Sequence, residues 1–455
     1  MTEFERRRKN FVEKMGDGVA VFPSAPAAVR SNDTDYEYRQ DSDLYFLSGF
    51  EEPQSVLVLA PNHPQTKSVL FLRPRDRERE IWEGRRVGVE NAPREFGIDA
   101  AYPIDELEER LPQLLDTSDR LYYAFSRNEE FNARIVRHLK HYHVARRQAD
   151  RGPVVLTDPS AILHELRVRK SPADVERLKR AVAISREGHT AAMRHSRPGM
   201  YEYEIEAILE YTFHRMGAQA AAYPSIVAGG ANATILHYTS NRQKIADGAL
   251  VLVDAGAELD YYCGDITRTW PIGGRFSAEQ RAIYEIVLEA QRRALELCRP
   301  GSRFSRSRDM NGAQQFDPRN VHHAATAAII EGLLALRLLQ GSFEENFTQR
   351  KYHQFFMHGT GHWLGMDTHD VGYYRLNGDW RALEPGMVIT VEPGVYVAED
   401  AQADERFRGI GVRIEDDVLI TNDGCEILSA GTPTGISEVE RTIAQGRESQ
   451  QPLIA

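Results

Sequence analysis

Short apolar runs recur along the first third of the chain: Gly18–Phe22 (GVAVF), Ser55–Ala60 (SVLVLA), Ser68–Leu72 (SVLFL) and Arg120–Phe125 (RLYYAF). Their length and their β-branched or aromatic content predict buried strands. The PNHP turn at Pro61–Pro64 predicts that the middle two form a hairpin. Ile104, Leu107, Leu111 and Leu114 then recur on one helical stripe over Ile104–Leu115, with Pro112 disturbing its last turn. Glu129–Leu139 predicts a second helix. Together these elements describe a mixed α/β domain.

The pattern restarts near residue 170. Ser171-Pro172-Ala173-Asp174 combines a capping serine, a proline at the first helical position and a carboxylate at the third, and Val175, Leu178 and Val182 open a new helical stripe. A domain break is therefore expected within 165–172, giving an N-terminal domain at 1–170 and a second domain at 171–455. In the second, helices are predicted at Glu202–Met216 and from Ser277 to about Leu297. Strand-like runs alternate with them at Leu250–Ala255, Ile266–Ile272, Met387–Glu392 and Gly411–Ile420. The arginine-rich stretch Arg303–Asn320 interrupts two helical patterns and reads as a solvated loop.

Composition narrows the class. With 455 residues, 42% hydrophobic and 27% charged, the chain is an ordinary folded protein rather than a collagenous or disordered one. A net charge of −11 argues against gripping nucleic acid or an anionic membrane by bulk charge. Cys263, Cys298 and Cys425 form no CxxC pair, build no disulfide framework and fit a reducing compartment. The opening MTEFERRRKNFVEKM lacks the apolar stretch of a secretory signal, and no apolar run approaches the ~18 residues of a membrane span. A soluble, cytoplasmic protein is expected.

Candidate chemistry gathers in the second domain. Asp254 ends LVLVD, Asp265 opens DITRTWPI, Glu392 ends MVITVE, and Glu415 lies inside GVRIEDDVLI. Each sits in a run that predicts a buried strand, where an ionised carboxylate costs on the order of 3 kcal/mol or more unless paired or metal-bound. Arg268 and Arg413 offer partners for only two of the four, so metal binding accounts better for the set. Asp254 and Asp265 bracket AGAELDYYCG, and a hairpin there brings both carboxylates to one end of a ribbon. His353, His358, His362 and His369 fall within seventeen residues, in a segment whose Gly359, Gly361 and Gly365 permit close backbone approach. The segment has neither the HExxH spacing of zincins nor the glycine spacing and lysine of a phosphate loop. Four carboxylates and one imidazole carry about −4 of charge, matching two divalent cations with room for a bridging hydroxide. Oxygen-rich ligation favours Mn2+, while one imidazole also admits Zn2+, Co2+ or Fe2+. Residue chemistry alone thus reaches a dinuclear metallohydrolase.

Five motifs appear in order: VDAG (253–256), GDITRT (264–269), HGTGHWLGMDTHD (358–370), VEPG (391–394) and GVRIEDD (411–417). Over about residues 172–440 they resemble the pita-bread metallopeptidases, the family of aminopeptidase P, prolidase and methionine aminopeptidase. YRQDSDLYFLSGF (38–50) and REIWEGRRVG (79–88) further resemble the N-terminal domain of bacterial aminopeptidase P. The resemblance implies an α/β (α+β) fold in which a mixed α/β domain precedes a pita-bread catalytic domain.

It also implies roles. Asp254 would chelate one metal, Asp265 and Glu415 would bridge both, and His362 and Glu392 would complete the second site. His362 is chosen over His358 because the family's ligand lies seven residues before the histidine of the HD pair, His369. His369 would stabilise the oxyanion. His358 and His237 would hold the proline side of the substrate and assist proton movement. Glu392 would double as acid/base, and Arg413 would orient Asp265 or Glu415. The implied activity is hydrolysis of an N-terminal Xaa-Pro bond by a hydroxide activated between two metals. Peptides with proline second are the implied partners, in a homo-oligomer, dimer or tetramer. Prolidase, restricted to Xaa-Pro dipeptides, is the alternative, and a non-catalytic interaction module is disfavoured because all five ligand positions are filled. Against the family pattern 303–320 resembles an insertion, and Cys263, beside Gly264-Asp265, reads as a small buried filler.

Overall fold

Each of the predicted N-terminal strands forms in a computed structural model of the chain, which describes residues 1–125, 127–145, 152–305 and 316–449. The chain divides into two units, Met1–Leu166 and Arg167–Ala455.

In the first unit a six-stranded mixed sheet runs in the order Ala100–Pro103, Ser68–Leu72, Val56–Leu59, Val19–Pro23, Arg120–Tyr122, Val155–Thr157. The expected hairpin is present, with Val58 opposite Val69 in an antiparallel pair. Val21, Val58, Phe71, Leu111 and Ile135 pack together in its core. The helix at Leu107–Leu115 keeps Pro112 inside it, after a 3₁₀ turn at Ile104–Glu106. Burial of Leu107, Leu111, Leu114 and Leu115 on one stripe offsets the hydrogen bond that proline cannot donate. The following helix extends to Ala145, past the expected Leu139. Tyr142 anchors that extra length, its hydroxyl lying 2.7 Å from Asp116 Oδ1 and 3.0 Å from the Pro112 carbonyl.

The second unit opens as its local sequence dictates. The Ser171 hydroxyl accepts the Asp174 N–H, and Asp174 Oδ2 accepts the Ser171 N–H at 2.7 Å, capping the helix Pro172–His195. Ser277 and Gln280 cap Ala278–Glu296 in the same way. Small antiparallel sheets lie between the helices. One orders Ile226–Gly229, Leu250–Ala255 and Ile266–Pro271; another orders Val388–Val391, Asp416–Ile420 and Cys425–Ile427; Gly394–Val397 pairs with Ile410–Arg413. Ile283 and Val287 of one helix pack with Ile389, Val391 and Val418, while Ile184 and Leu209 pack with Val251, Val253 and Trp270.

One expected strand is corrected. Gly411–Ile420 divides at Ile414–Glu415, and its halves belong to different sheets: Arg413 pairs with Gly394 and Asp416 with Val391. Glu415 itself bridges to Thr267, its N–H donating to the Thr267 carbonyl at 3.0 Å. Val412 and Ile414 before the break and Val418 and Ile420 after it keep one two-residue spacing, so the periodicity carries no mark of the switch. The expected loop at 303–320 falls largely on 306–315, outside the described residues. Its described ends are bonded to each other, through Arg303 N–H to Arg319 O and Val321 N–H to Arg303 O.

Among the described residues no helix is long and apolar enough to cross a membrane. Cys263 and Cys298 are buried and Cys425 half-buried, and burial pushes the Cys298 thiol far up and the Cys425 thiol up. A chromogenic disulfide reagent at neutral pH is therefore expected to modify at most Cys425 in the native chain and all three thiols after denaturation. Two fast-reacting thiols in the native state would contradict this packing.

Candidate metal centre

The ribbon of Leu250–Ala255 against Ile266–Pro271 sets Asp254 opposite Thr267 and Ala255 opposite Ile266. Asp265 leads straight into the second strand, so both carboxylates occupy the same end. The intervening segment makes its own small sheet, Ala257–Leu259 and Tyr262–Cys263 with Ala220–Ala221, rather than a plain turn. Gly256 is required there, since a Cβ would stand 1.7 Å from the Gly264 carbonyl oxygen.

The other donors arrive from separate elements. Glu415 stands at the strand break and accepts the Thr267 hydroxyl at 2.6 Å through Oε2. The loop carrying His362 is seated on the strand Val388–Val391: the Thr390 N–H donates to His362 O at 2.9 Å, and the His362 N–H donates to Thr390 Oγ1 at 3.1 Å. A Cβ at Gly361 would stand 1.9 Å from the Thr390 carbonyl oxygen, so this approach needs glycine. His362 Nδ1 lies 3.0 Å from the Trp363 carbonyl. A proton held there leaves the Nε2 lone pair facing the carboxylates, 3.2 Å from Asp265, 3.9 Å from Glu392 and 4.0 Å from Glu415.

Donor atoms of Asp265, His362 and Glu415 lie within 4.8 Å of one another, all three residues buried. Burial first, then the neighbouring carboxylates, raises Asp265 and drives Glu415 far above the carboxylate range. Lost solvation pushes Glu392 up to about 7 although His362 and Arg413 oppose it. Burial resists protonation of His362, yet the hydrogen bond and charge of Asp265 outweigh it and raise its pKa. Such a cluster is short of positive charge. Carboxylate oxygens with one imidazole nitrogen are the donors that divalent cations take, so the residues fit metal ions.

Around this set the remaining expected residues are placed as follows. The His369 ring is exposed and centred 4.2 Å from that of His362. His358 holds Gly359 O at 2.7 Å through Nδ1 and the Tyr396 hydroxyl at 2.8 Å through Nε2. Burial and then the Arg413 charge push it down to about 3, so it is neutral. Its Nδ1 is also 3.6 Å from Glu392. His237 is exposed and near enough for its charge to act on His358.

Arg413 is corrected. It grips Asp254 at 2.7 Å rather than Asp265 or Glu415, and reaches Glu415 only through the Thr267 hydroxyl, 3.2 Å from its Nε. Arg268, by contrast, neutralises none of the four expected ligands, pairing instead with Asp416 at 2.7 Å. Sequence reasoning missed Tyr223, whose hydroxyl lies 2.6 Å from Asp254 Oδ1 and also touches Asp265 Oδ1. It missed Tyr396, which joins His358 to Arg413, and Asp417, whose Oδ2 accepts the Asp265 N–H at 3.1 Å. Nothing around Tyr223 in AAYPSIV marks it; Asp417, in the run VRIEDDVLI, carried the same signal as Glu415.

Metallopeptidase family M24 matches residues 176–422, and the aminopeptidase P N-terminal domain matches residues 4–122. The Xaa-Pro aminopeptidase of Escherichia coli (strain K12) is 42% identical, over 98% of each chain. Human Xaa-Pro aminopeptidase 3 is 36% identical over 94% of this chain and 81% of its own. Among solved structures, Pseudomonas aeruginosa aminopeptidase PepP has a TM-score of 0.93 at 44% identity, with 98% of each chain covered. A glutamate-to-alanine variant of Escherichia coli aminopeptidase P in complex with substrate has a TM-score of 0.90 at 41% identity, again over 98% of each chain. With both domains matched in order, the expected α/β architecture holds, and the chain belongs to metallopeptidase family M24 in the form that carries an aminopeptidase P N-terminal domain.

Proposed function

We propose that the chain is an Xaa-Pro aminopeptidase, releasing the first residue from peptides whose second residue is proline. The observation that carries this reading is the end-to-end likeness to enzymes of that name, 42% identical over 98% of both chains, in a chain whose acidic site fits metal ions. Asp254 is assigned to one cation, Asp265 and Glu415 to both, and His362 and Glu392 to the other, with Mn2+ preferred and Zn2+ or Co2+ as alternatives. When bound, two such cations acidify water and polarise a carbonyl.

The chain's own groups do the rest. Glu392 takes the proton of the attacking water and returns it to the leaving proline nitrogen. His369, on the exposed rim beside His362, donates to the carbonyl oxygen as negative charge develops there. His358, held neutral between Gly359 and Tyr396, and exposed His237 orient the proline side of the substrate. Arg413 and Tyr223 hold Asp254 and Asp265 in place before metal arrives. The working assembly is assigned as a dimer or tetramer of this chain in the cytoplasm.

With Mn2+ supplied, an Xaa-Pro-Yaa tripeptide is expected to lose its first residue. Cleavage confined to Xaa-Pro dipeptides would assign prolidase instead. A purified chain that neither holds nor takes up a divalent ion would overturn both in favour of a binding module.

A further inference from the structure

One buried imidazole stands outside this machinery. His322 lies in the first turn of the helix Val321–Ala335 and is 0% exposed. Its own N–H donates to Asn320 Oδ1 at 3.0 Å, and Ser305 Oγ bonds the same oxygen at 3.0 Å, so the backbone that carries the ring is pinned. His322 Nδ1 is 2.8 Å from Thr360 Oγ1, whereas its Nε2 is buried without a partner among the described residues. With the proton on Nδ1, the ring donates to Thr360 and leaves only a lone pair unmet at Nε2, avoiding a buried orphan N–H.

Thr360 is the middle residue between His358 and His362 and is itself 0% exposed. Its two neighbours, Gly359 and Gly361, offer no side chain by which the loop can be held. Its carbonyl accepts the Glu392 N–H at 2.8 Å. The Thr360 hydroxyl is thus the handle between the helix and a stretch that leads to two histidines and a glutamate of the site. Phe356, with its ring centred 5.7 Å from that of His322 and 4.9 Å from that of His358, fills the space beside the contact.

We propose that His322 is a positioning residue of the metal centre, fixing the His358–His362 backbone through the Thr360 hydroxyl and, through the Thr360 carbonyl, the amide of Glu392. It rests on the assignment of His362 and Glu392 as metal ligands. Three variants test it: Thr360→Val keeps the shape without the hydroxyl, His322→Leu removes the imidazole, and His322→Asn keeps an amide N–H near the place of Nδ1. Mn2+ affinity is measured by titration calorimetry on the full chain, alongside kcat and KM on an Xaa-Pro-Yaa peptide.

Thr360→Val and His322→Leu are each expected to weaken Mn2+ binding about tenfold. In both, kcat should fall while KM stays within about twofold. The double variant should be no worse than either single one, because both cut the same link, and His322→Asn should recover most of the affinity. Should His322→Leu fail to fold, Thr360→Val and its combination with His322→Asn carry the test, the combination then matching Thr360→Val alone. Wild-type Mn2+ affinity in Thr360→Val, or losses that multiply in the double variant, would overturn the proposal. The calorimetry needs no substrate, so a wild-type chain that binds Mn2+ but cleaves no Xaa-Pro peptide would defeat the aminopeptidase reading alone.

Discussion

Asp265→Ala is expected to reduce turnover to background and to abolish metal retention at the same time. Asp265 sits where His362 Nε2, Tyr223 and the Asp417 carboxylate all converge, and its donor oxygen shares the buried cluster with His362 and Glu415. Removing it takes a shared ligand from both proposed cations rather than one contact from the substrate. Elemental analysis after gel filtration, beside peptide hydrolysis, reads both effects. A variant that keeps two bound metals would sink the bridging assignment. His369→Ala is the contrast, expected to keep its metal while kcat falls on the order of a hundredfold or more, as for loss of an oxyanion donor.

The metal-free chain offers a second readout of the same residue. Asp265, Glu392 and Glu415 all have carboxyl pKa values raised in the folded state, so the folded chain binds more protons than the unfolded one. The stability these carboxyls lend the chelator-treated protein should therefore fall as pH rises from the ordinary glutamate value of 4.5 through about 7, the value for Glu392, against the opposing gain from His189, His322 and His358, whose buried rings stay neutral in the fold. Asp265→Ala should flatten that decline, because one of the mutually repelling charges is gone. A stability difference between wild type and Asp265→Ala that does not shift with pH over the same interval would contradict the electrostatics described for the site.

Arg268→Leu is expected to destabilise the second unit by roughly 3–5 kcal/mol, the usual cost of breaking a buried ion pair from one side. The Arg268 guanidinium is buried and donates to Asp416 at 2.7 Å, to the Glu415 carbonyl at 2.6 Å, and to the Thr267 and Pro433 carbonyls at 3.0 Å. Its loss leaves Asp416 with only the hydrogen bonds of Gln291 and Ser429. The backbone that presents Glu415 loses a tie as well. Thermal unfolding after chelator treatment measures the effect without the contribution of metal, and a fall of about 10 °C is expected. Replacing Asp416 by an apolar residue in the same chain should recover part of it, since the stranded charge is then removed. An unchanged midpoint in Arg268→Leu would mean that Asp416 is stable there without its cation.

The two arginines show how far local reading reaches. Arg268 and Arg413 were visible as cations in apolar runs, but which acid each meets was not. Arg268 meets Asp416, one residue beyond the glutamate singled out, and Arg413 meets Asp254 from 159 residues away. An ion pair is decided by distance in space, and nothing in residue type encodes which distant strand end will lie opposite. Glu415 illustrates the same limit within a single strand. Val412 and Ile414 before it and Val418 and Ile420 after it keep the spacing of a single strand, so neither flank signals that Ile410–Arg413 and Asp416–Ile420 join different sheets.

What the sequence determined by itself is whatever depends on short-range periodicity or on a local anomaly. The capping boxes at Ser171 and Ser277 need only four consecutive residues, and both formed as their spacing requires. The hairpin of Val56–Leu59 with Ser68–Leu72 needed only two apolar runs and a turn. Carboxylates placed in apolar strands announced themselves because solvation makes that position costly without a counter-charge. The tertiary structure alone decided the company those carboxylates keep: Tyr223 between Asp254 and Asp265, Tyr396 between His358 and Arg413, and His322 behind Thr360. A hydrogen bond requires its atoms to meet within about 3 Å, and only the packing of elements far apart in the chain brings these atoms together.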